Sequence, residues 1–445
     1  MAKGKSKKAA KADDAEAVAS AETPKKPSVP RGVRKHLREL ESQLTNAARK
    51  ERKRVQKLER AAQRRQSIDM ALEKLRSQTS GPASPAAPVL KAAAVSAPKP
   101  PTARTGAGRP PAALQGRTRP VKSYDLIGCG ALNLDLIYRL PADSPLWHEL
   151  PPPGAEQAVT PELRAHVDAA LAGIEPARSG GGQAANTSFA LARLGFSSAM
   201  LGRIGADEAG GFLVSELAPC DARYLARDGE SGRVYVLLNE AGERRNLVWP
   251  AANDEFSTAD LPRRLPAARF AYFSSFVGER PLATQLALLE RLPADVEIAF
   301  DPGEIYARLG VKCFIPFLKR TSFVFATERE LETLCGLTAD KALSFLLDVG
   351  VGLVVCKMGD RGAQIVGRRL DLYVPPHPAE VVDVTGAGDL FAAGFIGGLI
   401  EGLGLESAGT LAAWAASRGI AGLGRSTYPD AAAWRERVAE ERGEV

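Results

Sequence analysis

Residues 383–395, DVTGAGDLFAAGF, place three small residues, Gly386, Ala387 and Gly388, directly before Asp389 and then run into an apolar segment. Small residues at the start of a helix leave its first-turn amides uncovered. Those unpaired donors, at the positive end of the helix dipole, attract anions. The pattern predicts a strand over 381–384 and a helix starting near Gly388, with Asp389 in its first turn. A lone acid there serves equally well as a dipole-compensating residue. The combination says more. A phosphoryl group held by the amides would sit beside a base able to take a proton from a hydroxyl, which is what phosphoryl transfer requires. No GxxxxGK[ST] segment occurs, so a Walker-type site is not supported. Gly394, Gly398 and Gly402 fall on one helical face. Each costs about 1 kcal/mol relative to Ala, which predicts another backbone packed closely there.

A second group lies earlier. In GALNLD (130–135), Asn133 and Asp135 are two apart on an extended segment and point to the same side. Together they offer donors and acceptors for vicinal hydroxyls, although turn chemistry is the plainer use of such a pair. Gly181 and Gly182, in SGGGQAANTSFALARLG (179–195), form either a turn or a place where a sugar approaches bare backbone. Glu330 in EREL reads as a helix-face acid. Arg244 in GERR reads as a solvated turn arginine rather than a contact for an anionic substrate group.

The elements that must position these residues begin near Ser123. Strands are expected within 124–140 and at 197–205, 233–239, 245–250, 269–275, 296–303, 321–327 and 351–359. Helices are expected at 184–196, closed by Gly195, and at 208–217. Alternating buried strands and helices predict an α/β domain with a parallel sheet covered on both faces. In such sheets the ligand crevice lies at the carboxyl ends of the strands.

Charge divides the chain. Residues 1–123 hold 29 Lys and Arg against 10 Asp and Glu, and the remainder holds 30 against 42. A basic arm therefore precedes an acidic body. Residues 1–30 read as disordered. Residues 31–77 read as a helix whose thin apolar stripe (Leu37, Leu40, Leu44, then Val55 and Leu58, then Leu72 and Leu75) leaves three uses open: a solvated charged helix, a weak coiled coil, or an arm binding nucleic acid through phosphates. Residues 79–122 form a Pro/Ala-rich linker. The five cysteines contain no CxxC and the four histidines are scattered, which fits reduced thiols and argues against a zinc site. The longest apolar run near the C-terminus, Leu390–Ile400, is 11 residues, too short for a membrane span, and the N-terminus lacks a secretory h-region. A cytoplasmic protein without membrane contact is expected.

Seven segments, in order, resemble the ribokinase-like (PfkB) carbohydrate kinases: GALNLD, SGGGQAANTSFALARLG, GRIGADEAG, GERR, VFATEREL, KMGDRG and DVTGAGD. The resemblance spans about 124–435 and none of the arm. It implies a kinase domain at 123–435, built as a three-layer α/β/α sandwich with a mainly parallel central sheet and a small β lid from about 136–178 and 232–250. It implies transfer of the γ-phosphoryl of ATP, with Mg²⁺, to a hydroxymethyl group of a sugar or nucleoside. Asp389 would be the catalytic base, with Gly386, Ala387 and Gly388 as the anion hole. Asn133, Asp135, Gly181, Gly182 and Asn186 would hold the acceptor. Lys357, Gly359, Gly362 and Thr385 would border the nucleotide. Glu330 would organise Mg²⁺ through water, and Asp383 would shape the loop and a monovalent-cation site.

Three departures stand out. Thr327 replaces the family's usual Asn. A 43-residue stretch, 136–178, enlarges the lid. Thr427-Tyr428 stands where a smaller polar residue is common, which leaves K⁺ open. An unphosphorylated acceptor is expected, and a homodimer through the lid is consistent with the family. The competing readings are a catalytically weak sugar- or nucleoside-binding regulator, and a nucleic-acid-associated protein, or one with another acidic partner, acting through the arm.

Overall fold

The computed structural model describes residues 123–444, apart from 142, 145, 151–155 and 240–243. The expectations for residues 1–30, 31–77 and 79–122 lie outside the described residues. In chain order the strands are β1 (Ser123–Cys129), β2 (Asn133–Arg139), β3 (Glu156–Ala158), β4 (Ala177–Gly181), β5 (Ser198–Ile204), β6 (Leu225–Arg227), β7 (Gly232–Leu238), β8 (Arg244–Trp249), β9 (Ala267–Ser274), β10 (Glu297–Asp301), β11 (Phe323–Thr327), β12 (Leu353–Lys357), β13 (Ala363–Gly367) and β14 (Leu370–Val374). The longer helices are α1 (Pro161–Ala170), α2 (Gln183–Arg193), α3 (Glu208–Leu217), α4 (Glu279–Arg291), α5 (Gly303–Leu309), α6 (Glu328–Cys335), α7 (Ala339–Val349), α8 (Ala387–Ile400), α9 (Leu405–Gly419) and α10 (Ala431–Arg442).

A nine-stranded sheet runs β14-β13-β12-β11-β10-β9-β1-β5-β6. From β6 to β12 every pairing is parallel, and β13 and β14 close that edge antiparallel. The period of two along each strand divides the core into two layers. Phe323, Phe325 and Val355 face α2, α8 and α9. Val324, Val354 and Phe300 face α4, α6 and α7. Strands buried on both faces read as unbroken apolar runs in sequence, as FVFA and LVVC do.

A second, five-stranded sheet runs β3-β8-β7-β2-β4. One face packs Tyr235, Leu237 and Leu247 under Val167 of α1 and Trp147. The other carries Val234, Val236 and Val248, of which Val234 and Val248 face the cleft between the sheets. The strands of this sheet begin at Asn133, so both Asn133 and Asp135 belong to it.

Two expectations are corrected. Residues 381–384 form no strand: Val381, Val382 and Val384 are exposed. Valine favours extended chain only where a neighbouring strand pairs with it, and here two amides, of Val382 and Asp383, meet the single carbonyl of Ile420. The glycine stripe also holds only in part. A Cβ on Gly394 would lie 2.9 Å from the Ala412 Cα, and one on Gly398 2.8 Å from the Ala408 Cα, so α8 and α9 approach backbone to backbone. Gly402 lies beyond the end of α8, at φ +78°, in open space.

Candidate active site

The carboxyl ends of β10, β11 and β12 bring Asp301, Thr327 and Lys357 side by side. Asp301 is fully buried. Its Oδ2 accepts from Lys357 Nζ at 2.8 Å and Tyr272 Oη at 3.2 Å. Its Oδ1 accepts from Gln183 Nε2 at 3.2 Å and the Gly303 amide at 3.1 Å. Burial works against the Lys357 charge, but Asp301 and Glu330 outweigh it and hold the ammonium above the ordinary lysine range.

Thr327 caps α6. Its Oγ1 accepts from the Glu330 amide at 3.2 Å, and Glu330 Oε2 accepts from the Thr327 amide at 2.7 Å. This reciprocal box accounts for Thr at that position, and T-E-R-E in the sequence is its signature. Burial raises the Glu330 carboxyl, while Lys357 pulls it down.

Gly386 caps α8 in the left-handed region, at φ +73°, and a Cβ there would lie 2.4 Å from Tyr428 Oη. Asp389 is the third residue of the helix and 7% exposed. Asn186 Nδ2, from α2, donates to its Oδ2 at 2.8 Å. Burial, with Asp301 adding, pushes its carboxyl up to about 7, while the Asn186 bond, Lys357 and Arg425 act the other way. Gly388 lies against Lys357, 3.0 Å from its Nζ to a built Cβ, so the bare first turn of α8 faces an ammonium.

On the side of the small sheet, Asn133 Oδ1 accepts from buried Asn253 at 2.9 Å. Asp135 is half-buried behind Gly181, where a Cβ would clash at 2.3 Å. Burial pushes its carboxyl up to about 6, against Arg244 and Arg425. Glu156 is pushed up to about 7 by burial and then by Glu304 and Asp135.

Asn133, Asp135, Glu156, Thr327, Glu330, Lys357 and Asp389 line one cleft of about 560 Å³, and Asp301 lies buried behind Lys357. Of the site residues that the resemblance implies, all line the cleft except Gly181 and Asp383. Gly181 backs Asp135. Asp383 Oδ1 braces Thr385, accepting from its amide at 2.9 Å and its hydroxyl at 2.6 Å. Arg244 is not a solvated turn residue. It opens β8, is half-buried, bonds Asn246 Oδ1 through Nε at 2.9 Å, and donates through Nη1 to Thr385 Oγ1. Sequence reasoning missed Asp301, although a charged strand end in AFDPG was a signal. It missed Arg425 altogether, whose partner Asn186 is 239 residues away.

The cleft thus joins a bare helix start, a carboxyl near neutrality and a buried ammonium. The model for the pfkB family carbohydrate kinases matches residues 159–427, more than half of the chain. The chain belongs to the PfkB family of carbohydrate kinases. It is 30% identical over 237 residues, 52% of this chain and 94% of the relative, to an uncharacterized sugar kinase of Archaeoglobus fulgidus. It is 29% identical over 224 residues, 49% of this chain and 73% of the relative, to an ATP-dependent ribose-1-phosphate kinase of Halopiger xanaduensis. Its fold is similar to that of the adenosine kinase from Sinorhizobium meliloti, with a TM-score of 0.62, 23% identity, and coverage of 71% of this chain and 99% of that one. This PfkB chain is thus a carbohydrate or nucleoside kinase. Asn133 and Asp135 precede the matched residues, and only the geometry of the small sheet joins them to the site. No helix of the described residues is long and apolar enough to cross a membrane.

Proposed function

We propose that this kinase transfers the γ-phosphoryl group of ATP to a hydroxymethyl group of an unphosphorylated sugar or nucleoside. The observation that carries the reading is Asp389: a carboxyl poised near neutrality, facing the cleft from the first turn of a helix with no side-chain cap, where the Ala387 amide is held by the Val384 carbonyl. In this reading Asp389 takes the proton of the acceptor hydroxyl. The amides of Gly386 and Gly388 stabilise the negative charge of the group in transfer, because they are donors fixed by the turn, while that of Ala387 is taken by the Val384 carbonyl. Lys357, held by Asp301, adds positive charge beside them, and Gly359 and Gly362 border the nucleotide. The small sheet acts as the lid. Arg244 reaches from it to Thr385 at the anion hole, so lid and phosphoryl site are linked.

The donor set suits Mg²⁺ held through water, since Glu330 lines the cleft while one of its oxygens caps α6. When bound, Mg²⁺ would neutralise charge on the triphosphate. Asp383, already bonded to Thr385, is the residue to examine for a K⁺ effect.

The preference for an unphosphorylated acceptor rests on charge. Asp135 and Glu156 line the cleft from the small sheet, and Arg244 opposes them. A phosphate on the acceptor would meet those two carboxyls beside the one arginine. Turnover should be compared for ribose, fructose and adenosine against their phosphorylated forms, with Mg²⁺, with and without K⁺. Turnover restricted to a sugar phosphate would contradict the assignment.

A further inference from the structure

Arg425 lies in the loop between α9 and α10, and its side chain crosses to α2. Its Nε and Nη2 both donate to Asn186 Oδ1, at 3.0 and 2.8 Å. Its Nη1 donates to the Glu216 carbonyl at 3.1 Å. The guanidinium also lies over the Phe189 ring, 4.7 Å from its centroid. These contacts fix a long side chain in one place. A guanidinium has five donors and no acceptor. An amide bound to its fork must therefore turn its oxygen toward the arginine and its NH₂ away. In Asn186 the NH₂ so turned is the group that donates to Asp389 Oδ2 at 2.8 Å.

We propose that Arg425 is a positioning residue for the transfer reaction: it sets the amide orientation of Asn186, which in turn holds one oxygen of Asp389 and leaves the other for the acceptor hydroxyl. The inference rests on the reading of Asp389 as the base. Without the fork only Asp389 orients the amide. Once Asp389 is protonated the amide can turn its oxygen to accept that proton, so loss of the fork and of the guanidinium charge favours the protonated carboxyl. The other groups facing Asp389 are Asp301 at the end of β10, Lys357 at the end of β12, and the phenols of Tyr272 and Tyr428. Lys357 stays paired with Asp301, so neither replaces what Arg425 supplies.

The test uses the full chain, ATP, and whichever of ribose, fructose or adenosine stimulates turnover in the wild type. Arg425→Met should lower kcat about ten- to a hundredfold, leave the KM for ATP unchanged, and move the acidic limb of the pH profile to higher pH. Arg425→Lys keeps the charge and one donor, and should fall between wild type and Arg425→Met on both measures. Arg425→Met added to Asn186→Ala should cost little beyond Asn186→Ala alone, because both remove one chain of contacts. Titration of the aspartate carboxyls by ¹³C NMR, with Asp389→Asn to assign the signal, should show the same upward shift with no acceptor present. A folded Arg425→Met variant with wild-type kcat and an unmoved Asp389 titration would overturn the proposal. Should Arg425→Met not fold, wild-type values in Arg425→Lys would overturn it equally. If none of the three acceptors stimulates the wild type, the proposed acceptor class fails, and the NMR titration still decides the positioning role.

Discussion

Asp389 is a buried carboxyl that the fold pushes up to about 7. A base must be ionised to act, so kcat/KM should rise with pH through neutrality. The same shift has a cost in stability. Between the usual aspartate value of about 4 and the raised value, the folded state binds a proton that the unfolded state releases. Stability from this residue is therefore present at low pH and is lost as pH rises through about 7. Asp389→Asn should raise Tm by a few degrees at about pH 8 and leave it nearly unchanged at about pH 4. Thermal melts at the two pH values check this, and equal shifts at both would remove the burial argument. DVTGAGD announced this acid because its neighbours in sequence are its neighbours in space. Asp301 and Arg425 act across 56 and 239 residues, on Lys357 and Asn186. The strand end AFDPG marks Asp301 but not its partner, and nothing near Arg425 points to Asn186.

At the scale of elements, the start of α8 depends on a left-handed residue. Gly386→Ala should cost about 1–2 kcal/mol for that backbone conformation, and more for the contact with Tyr428 Oη, 2.4 Å from a built Cβ. Denaturant unfolding should show the loss, and Tyr428→Phe in the same chain should recover part of it. Wild-type stability in Gly386→Ala would mean that the turn relaxes easily. The helices and the parallel strands were readable because their periods differ and their apolar runs are unbroken. The glycine stripe was readable as close packing, and Gly394 and Gly398 bear that out. Gly402 and Val381–Val384 were not, since a helix end and an unpaired extended segment depend on what lies next to them.

Across the whole molecule, the two sheets meet at β3 and α5. The Glu156 amide donates to Glu304 Oε2 at 3.1 Å, and Arg308 Nη1 donates to the Glu156 carbonyl at 2.6 Å. Arg308→Ala removes that bond and the ion pair of Arg308 with Glu304 at 2.6 Å, so the acceptor KM should rise about two- to tenfold while the KM for ATP holds. An unchanged acceptor KM would show that this edge does not govern how the small sheet meets the acceptor. The three-residue strand β3, EQA, carries no strand signal of its own. It exists because β8 offers a free edge, which a sequence does not display. The mostly parallel order of the large sheet was legible from alternation alone, whereas the five-strand order of the small one was not.

The most direct test of the account is ATP turnover by wild type and Asp389→Asn against ribose, fructose and adenosine. The account predicts that one acceptor stimulates the wild type, and that the variant loses about 10³-fold in kcat while still binding ATP and acceptor. Stimulated turnover that survives in Asp389→Asn would contradict the assignment of the base and the central claim with it.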